Sequence, residues 1–189
     1  LGEALYVATH RRAFGRTLVE MPLMQRQLVK LAVWAEQARS LVFQTAQALQ
    51  AADADPAMRP LARILTPLIK FRACRDARKV TGDAMEVRGG CGYIEEFVEA
   101  RLVRDAHLGS IWEGTSNIVA LDVMRAIRRE AALPALRDHV ERLLAEGEPC
   151  PPALADLQAE RIASAFAFAE ATAQGDVTHV ARQAASALY

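Results

Sequence analysis

Two long stretches of helical periodicity constrain this chain more than any other feature. After Pro22, the residues Leu23, Leu28, Leu31, Val33, Trp34, Ala38, Leu41, Val42 and Ala46 recur at helical spacing, and the pattern fades by Ala52-Asp53. A second run extends from about Ala57 to Arg88. Pro22 and Pro60 suit first turns, where the missing N–H has no intrahelical partner to lose. Pro67 lies inside the second run and is expected to end or kink it. Gly89-Gly90-Cys91-Gly92 then stops the run. No strand alternation of useful length, internal repeat or low-complexity tract is visible. Hydrophobic residues make up 52% of the chain, much of it alanine, and aromatics only 6%, a balance that favours close-packed helices. The expected fold class is all-α: a bundle of long antiparallel helices with a C-terminal helical extension.

The shorter segments fill in around these two. Leu1 to about Arg12 reads as a helix ending near Arg11-Arg12-Ala13-Phe14-Gly15. Residues 93–112 read as a connector with a short helix around Glu96 to Asp105. Thr115 or Ser116 is expected to cap a helix running to about Glu130. Pro134 begins an amphipathic helix ending at Gly147, Pro149-Cys150-Pro151-Pro152 is a linker, and residues 153–188 form one or two helices broken near Gly175-Asp176. The expected division is a bundle over 1–130 and an extension over 131–189. The chain starts with Leu1 and already reads as mid-helix there, so a piece of a longer protein is expected.

Twenty-three basic and twenty-three acidic side chains cancel among 189 residues. Such a balance does not advertise nucleic-acid or membrane binding, although a local patch can still supply it. No signal peptide and no apolar run long enough for a bilayer is present, which makes the cytoplasm the default compartment. Cys74, Cys91 and Cys150 are odd in number and form no CxxC pair. His10, His107, His139 and His179 are scattered, so no metal site is expected.

Four stretches carry possible chemistry. In Ser110-Ile111-Trp112-Glu113-Gly114-Thr115-Ser116-Asn117, Glu113 sits just ahead of a helix N-terminus. A carboxylate there commonly stabilises the helix dipole. The sharper reading is a general base, dried by Ile111 and Trp112, with Gly114 leaving space and Thr115 and Asn117 offering polar groups to a ligand. Gly89-Gly90-Cys91-Gly92-Tyr93 is a helix stop with more glycine than one cap needs, and bare backbone of this kind can approach a phosphate. Arg11 and Phe14 lie in a basic helix end, or else clamp a diphosphate and pack on a ring. Arg72, Arg75 and Lys79 share a helix face, either as a solvated surface or as a polyanion-binding strip.

Taken in order, RRAFG, a long helix, MEVRGGCGYIEE and ARLVRDAHLGSIWEGTSNIVALDVMR resemble the C-terminal helical domain of the acyl-CoA dehydrogenases over residues 1 to about 130. The extension, the Pro22-Leu23-Met24 segment and Trp112 in WEG resemble the alkylation-response branch, whose members keep flavin and bind DNA with weak or absent dehydrogenase activity. The resemblance implies FAD and an acyl-CoA thioester substrate. A base takes the α proton while a hydride leaves the β carbon, and electrons pass on to an electron-transfer flavoprotein or similar acceptor. Glu113 matches the base. Thr115 and Asn117 match contacts to the adenine dinucleotide portion. Gly89 and Gly90 match a diphosphate-side turn, and Arg11 and Phe14 match flavin contacts that reach a neighbouring subunit in a homo-oligomer, usually a tetramer. Arg125 matches a recurring family arginine. Ala13, Trp112 and Asn117 depart from the family's usual polar residue, Tyr and Gln. Three readings stay open: a dehydrogenase domain, inactive as this isolated piece; a DNA-binding alkylation-response flavoprotein; and a helical interaction domain without flavin.

Overall fold

In a computed structural model, residues 1–148, 150–175 and 178–189 are described. Among the described residues the regular elements are helices and one two-stranded hairpin: α1 (Gly2–His10), β1 (Arg12–Ala13), β2 (Arg16–Thr17), α2 (Pro22–Ala54), α3 (Arg59–Arg88), α4 (Val98–Gly109), α5 (Ser116–Glu130), α6 (Ala132–Glu146), α7 (Pro152–Gln174) and α8 (Ala181–Ala187). The long helices fall where periodicity placed them; α2 has 33 residues and α3 has 30. At about 1.5 Å per residue each spans roughly 45–50 Å. Of the expected linker and helix break, Pro149 and Asp176 lie outside the described residues. Among the described residues no helix is long and apolar enough to cross a membrane.

The chain forms two compact units, Leu1–Ser40 with Ala73–Glu113, and Leu41–Arg72 with Gly114–Tyr189. The first is built on a small core: Ala4, Val7 and Ala8 of α1 with Leu18, Leu28, Leu31, Ala84 and Val87. The second has the larger core. Leu61, Ile64, Leu65, Leu68 and Phe71 of α3 join Val119, Ala120, Val123 and Met124 of α5, and Ala169, Ala173, Ala184 and Ala185 of α7 and α8 complete it. These alanines are almost wholly buried. A side chain of one carbon lets helices approach closely, which is how an aromatic-poor chain fills its core.

Several local expectations needed correction. The first helix ends at His10, and Arg12–Thr17 form the hairpin, with Arg12 opposite Thr17 and Ala13 opposite Arg16. Strands of two residues leave no alternation to read. The helix around Glu96–Asp105 runs instead from Val98 to Gly109, and that at Pro134 begins at Ala132, after Ala131 turns the chain at φ 51°. Of the two outcomes expected at Pro67, an end to the helix is excluded, since α3 continues past it. An interior proline costs about 3 kcal/mol. Ile64, Leu65, Leu68 and Phe71 around it are each no more than 2% exposed, and burial of each is worth about 1.5–3 kcal/mol, which outweighs the proline.

Arg63 ties α3 to α5 in the second unit, donating to both carboxylate oxygens of Asp122 at 2.8 and 3.0 Å and to Glu130 at 2.9 Å. On α6, burial, followed by the nearby Arg142 charge, lowers the His139 pKa from its ordinary 6.5. A histidine held neutral in the fold binds fewer protons than in the unfolded chain below that value. Its contribution is therefore complete above about pH 6.5 and is lost as pH falls through the lowered folded value. Urea midpoints should fall between pH 7.5 and 5.5, and His139→Gln should flatten that slope; an unchanged slope would refute the assignment.

Candidate functional site

The end of α4 sets the position of Glu113. Backbone N–H groups of Ile111 and Trp112 donate to Leu108 O at 2.9 and 3.1 Å, continuing the helix into a tight turn. Arg78 on α3 donates to Ser110 Oγ at 3.2 Å, and that hydroxyl donates to His107 O at 3.1 Å. So fastened, the turn delivers Glu113 in the left-handed region, at φ 53°. A side chain at such a φ costs roughly 1–2 kcal/mol, which glycine would avoid. The expected drying is absent from this chain itself: Glu113 is exposed, and Ile111 and Trp112 are 60% and 56% exposed. Their apolar faces have room on them for something outside these residues.

Phe14 shows the same combination. It takes the first central position of the hairpin turn, with φ 51° followed by 80° at Gly15. Both central residues of such a two-residue turn need positive φ, and an aromatic is an unusual choice there. Phe14 is 94% exposed. Among the described residues three non-glycines have positive φ, and two of them, Phe14 and Glu113, are residues expected at the site.

Arg11 and Gly89 come together in the first unit. Arg11 Nη1 donates to the carbonyl of Arg88, at the junction of α3 and the glycine turn. Gly89 has φ 73°, and a Cβ there would meet Arg11 Nη1 at 2.9 Å. Gly90 is exposed with nothing within 4 Å of an added Cβ, so its backbone is open to a ligand. Gly89→Ala should lower stability by about 1–2 kcal/mol, from the left-handed backbone alone, and displace Arg11. A urea midpoint equal to wild type would refute this.

In the second unit Thr115 is exposed and occupies the cap position of α5, but its hydroxyl makes no capping bond. Asn117 Oδ1 accepts from Arg182 at 3.4 Å, which leaves the amide nitrogen outside that bond. Arg125 is exposed and donates to Asp122 at 3.2 Å, a role within α5. The basic residues differ in setting. Arg72 is half-buried with its guanidinium over the Tyr189 ring at 5.5 Å, Arg75 is half-buried, and Lys79 is exposed with its ammonium over Trp34 at 5.3 Å. Among the described residues no cluster of three metal-ligating side chains is present.

Sequence reading passed over Arg88 and Glu99. Arg88 pairs with the carboxylate of Glu99, donates to Glu3 Oε2 at 3.2 Å and lies over Phe97 at 4.9 Å. It thus joins α1, α3 and α4 where the glycine turn begins. A lone arginine ahead of two glycines was the one available signal.

Comparison with known proteins identifies the family of the chain. The model of the acyl-CoA dehydrogenase C-terminal domain matches residues 1–128. Putative acyl-CoA dehydrogenase AidB of Escherichia coli is 40% identical over 131 residues, 69% of this chain and 24% of that protein. Acyl-CoA dehydrogenase family member 11 of Caenorhabditis elegans is 34% identical over 141 residues, 72% of this chain and 23% of that protein. The crystal structure of Caenorhabditis elegans ACDH-11 in complex with C11-CoA superposes with a TM-score of 0.84 at 30% identity, covering 96% of this chain and 33% of that one. The chain spans about a quarter of the length of these curated relatives. A family match over two thirds of its length places the chain in the acyl-CoA dehydrogenase superfamily, as a C-terminal helical domain.

Proposed function

We propose that this chain is the C-terminal part of an FAD-dependent acyl-CoA dehydrogenase in which Glu113 takes the α proton of an acyl-CoA thioester. The observation that carries the reading is the pair of exposed, left-handed residues, Phe14 and Glu113. Backbone strain and exposed aromatic surface are both costs to the chain alone, and both are offset when a ligand and neighbouring protein cover them.

Each unit by itself offers groups that suit part of a flavin dinucleotide. Gly90 leaves bare backbone beside the Arg11 guanidinium-bearing turn, Phe14 offers a ring face, and Thr115 and Asn117 offer a hydroxyl and an amide at the start of α5. FAD, when bound, would supply the acceptor for the β hydride. The chain's own contribution is the carboxylate of Glu113, which accepts the α proton, with Trp112 and Ile111 excluding water once covered. Arg11, Phe14, Gly89 and Gly90 hold cofactor, in part across a subunit boundary of a homo-oligomer. The bundle over 1–130 carries these roles, and 131–189 is an added extension. The acceptor of the electrons is an electron-transfer flavoprotein or a similar protein.

The deciding experiment uses the full-length protein purified with its flavin. Straight, branched and aromatic acyl-CoAs are added anaerobically, and the oxidised flavin absorbance is followed. Bleaching by one class supports the dehydrogenase and names its substrate. The isolated 189-residue chain should fold and catalyse no acyl-CoA oxidation; turnover by it would refute the need for further domains.

A second reading is favoured by the likeness to AidB. Here flavin is retained and DNA is bound through Arg72, Arg75 and Lys79. No bleaching by any acyl-CoA, with flavin in place, favours it. Replacing the three by alanine should then weaken DNA binding and reduce the steep salt dependence that phosphate contacts produce. Unchanged binding would remove them as the DNA site.

A further inference from the structure

The turn that carries Glu113 is anchored on α3 at two successive points, all within the first unit. A Cβ added at Gly109, the last residue of α4, would lie 3.5 Å from Cys74 Sγ, so the helix end is set against α3. Residues four apart share a helix face, and four residues after Cys74 comes Arg78. Its Nη1 donates to Ser110 Oγ at 3.2 Å. Ser110 is buried, and its hydroxyl donates in turn to His107 O at 3.1 Å. A hydroxyl has one proton, so this pair of bonds fixes its rotor.

The other bonds of the turn do not tie it to a second helix. Ile111 and Trp112 donate to Leu108 O, which shapes the turn from within, and both side chains are exposed. Glu113 follows at φ 53°, a conformation that persists only where the surroundings impose it. A general base must stand within hydrogen-bond reach of the proton it takes. A displacement of about 1 Å, even from a change far from the chemistry, can cost about 10²-fold in rate.

We propose that Arg78 is a positioning residue for the base: through Ser110 it fixes the turn from which Glu113 emerges, and so where the carboxylate meets the α proton. The inference rests on Glu113 being that base. Arg78 acts through a neutral hydroxyl, and that hydroxyl keeps its acceptor, His107 O, when the guanidinium is removed. Losing Arg78 therefore strands no buried charge at Ser110, and the fold should survive.

The test uses Arg78→Met, which keeps an apolar stem and removes the donors, Ser110→Ala and the double variant. In the full-length flavoprotein, anaerobic stopped-flow reduction by a saturating acyl-CoA should slow by roughly 10–100-fold in each. Flavin content and KM should stay near wild type. The double variant should be no slower than the slower single, because both changes remove one bond. Deuterium at the α carbon should slow the variants at least as much as wild type, since proton removal is the step impaired. In the 189-residue chain, amide exchange at Ile111 and Trp112 should quicken by about tenfold or more as the turn loosens, with that at Val123 unchanged.

Wild-type reduction rates in both single variants, with Glu113→Gln inactive, overturn the positioning role and leave the base in place. Full-rate reduction by Glu113→Gln, or no reduction of wild type by any acyl-CoA, removes the base and this role with it. Additive losses in the double variant, an isotope effect near one, or unchanged exchange at Ile111 and Trp112 each overturn the proposal as well.

Discussion

Glu113→Gln in the full-length flavoprotein is expected to lower kcat for acyl-CoA oxidation by about 10²–10⁴-fold, the range of a lost general base. Flavin content should stay at the wild-type level. The amide has the shape of the carboxylate but no lone pair basic enough to take a proton from carbon. It also inherits the same backbone requirement, because φ at 113 is positive whichever of the two side chains is present. The comparison therefore isolates proton transfer from folding. Anaerobic stopped-flow reduction of the flavin reads the chemical step directly. Full-rate reduction by the variant would place the base on another residue, and loss of flavin would show that the turn at 110–113 is chiefly a cofactor support.

Arg88→Met should cost the fold about 3–5 kcal/mol, the usual effect of stranding one member of a buried ion pair. Glu99 is 1% exposed, and Arg88 is its charge partner. One carboxylate oxygen, Oε2, already lacks a hydrogen bond, so there is no second donor to take over when the guanidinium goes. The double variant Arg88→Met, Glu99→Leu should recover most of that loss, because two apolar groups of similar size carry no charge to desolvate. Urea unfolding of the 189-residue chain, followed by circular dichroism, measures both. A single-variant loss below about 1 kcal/mol would mean that solvent reaches Glu99. No recovery in the double variant would mean that Arg88 acts mainly by packing on Phe97 and by fixing the carbonyl that Arg11 grips.

The positions of α2, α3 and α5 were legible because their signals are local. Apolar side chains one turn apart must share a face, proline is tolerated in a first turn, and glycine ends a helix. The same locality explains the misreadings. Pro67 weakens its own turn in any short peptide, but in the protein four buried neighbours hold the helix through it. Phe14 looked like a helix-end residue because nothing adjacent announces a hairpin with an aromatic at its tip.

The candidate site divides along the same line. By itself the sequence determined which side chains are present and in what order, and hence the family motif around Glu113, the glycine stop and the helical fold class. Only the tertiary structure decided that Arg11 closes on Gly89 and the Arg88 carbonyl, 77 residues away, and that Arg88 sits on Glu99. It also decided that Phe14 and Glu113 are held exposed in strained backbone and that the buried His139 meets the Arg142 guanidinium through Nδ1. The physical reason is range. Helical periodicity and caps act over three or four residues and are written along the chain, whereas charge pairing, burial and close approach depend on which distant surfaces meet.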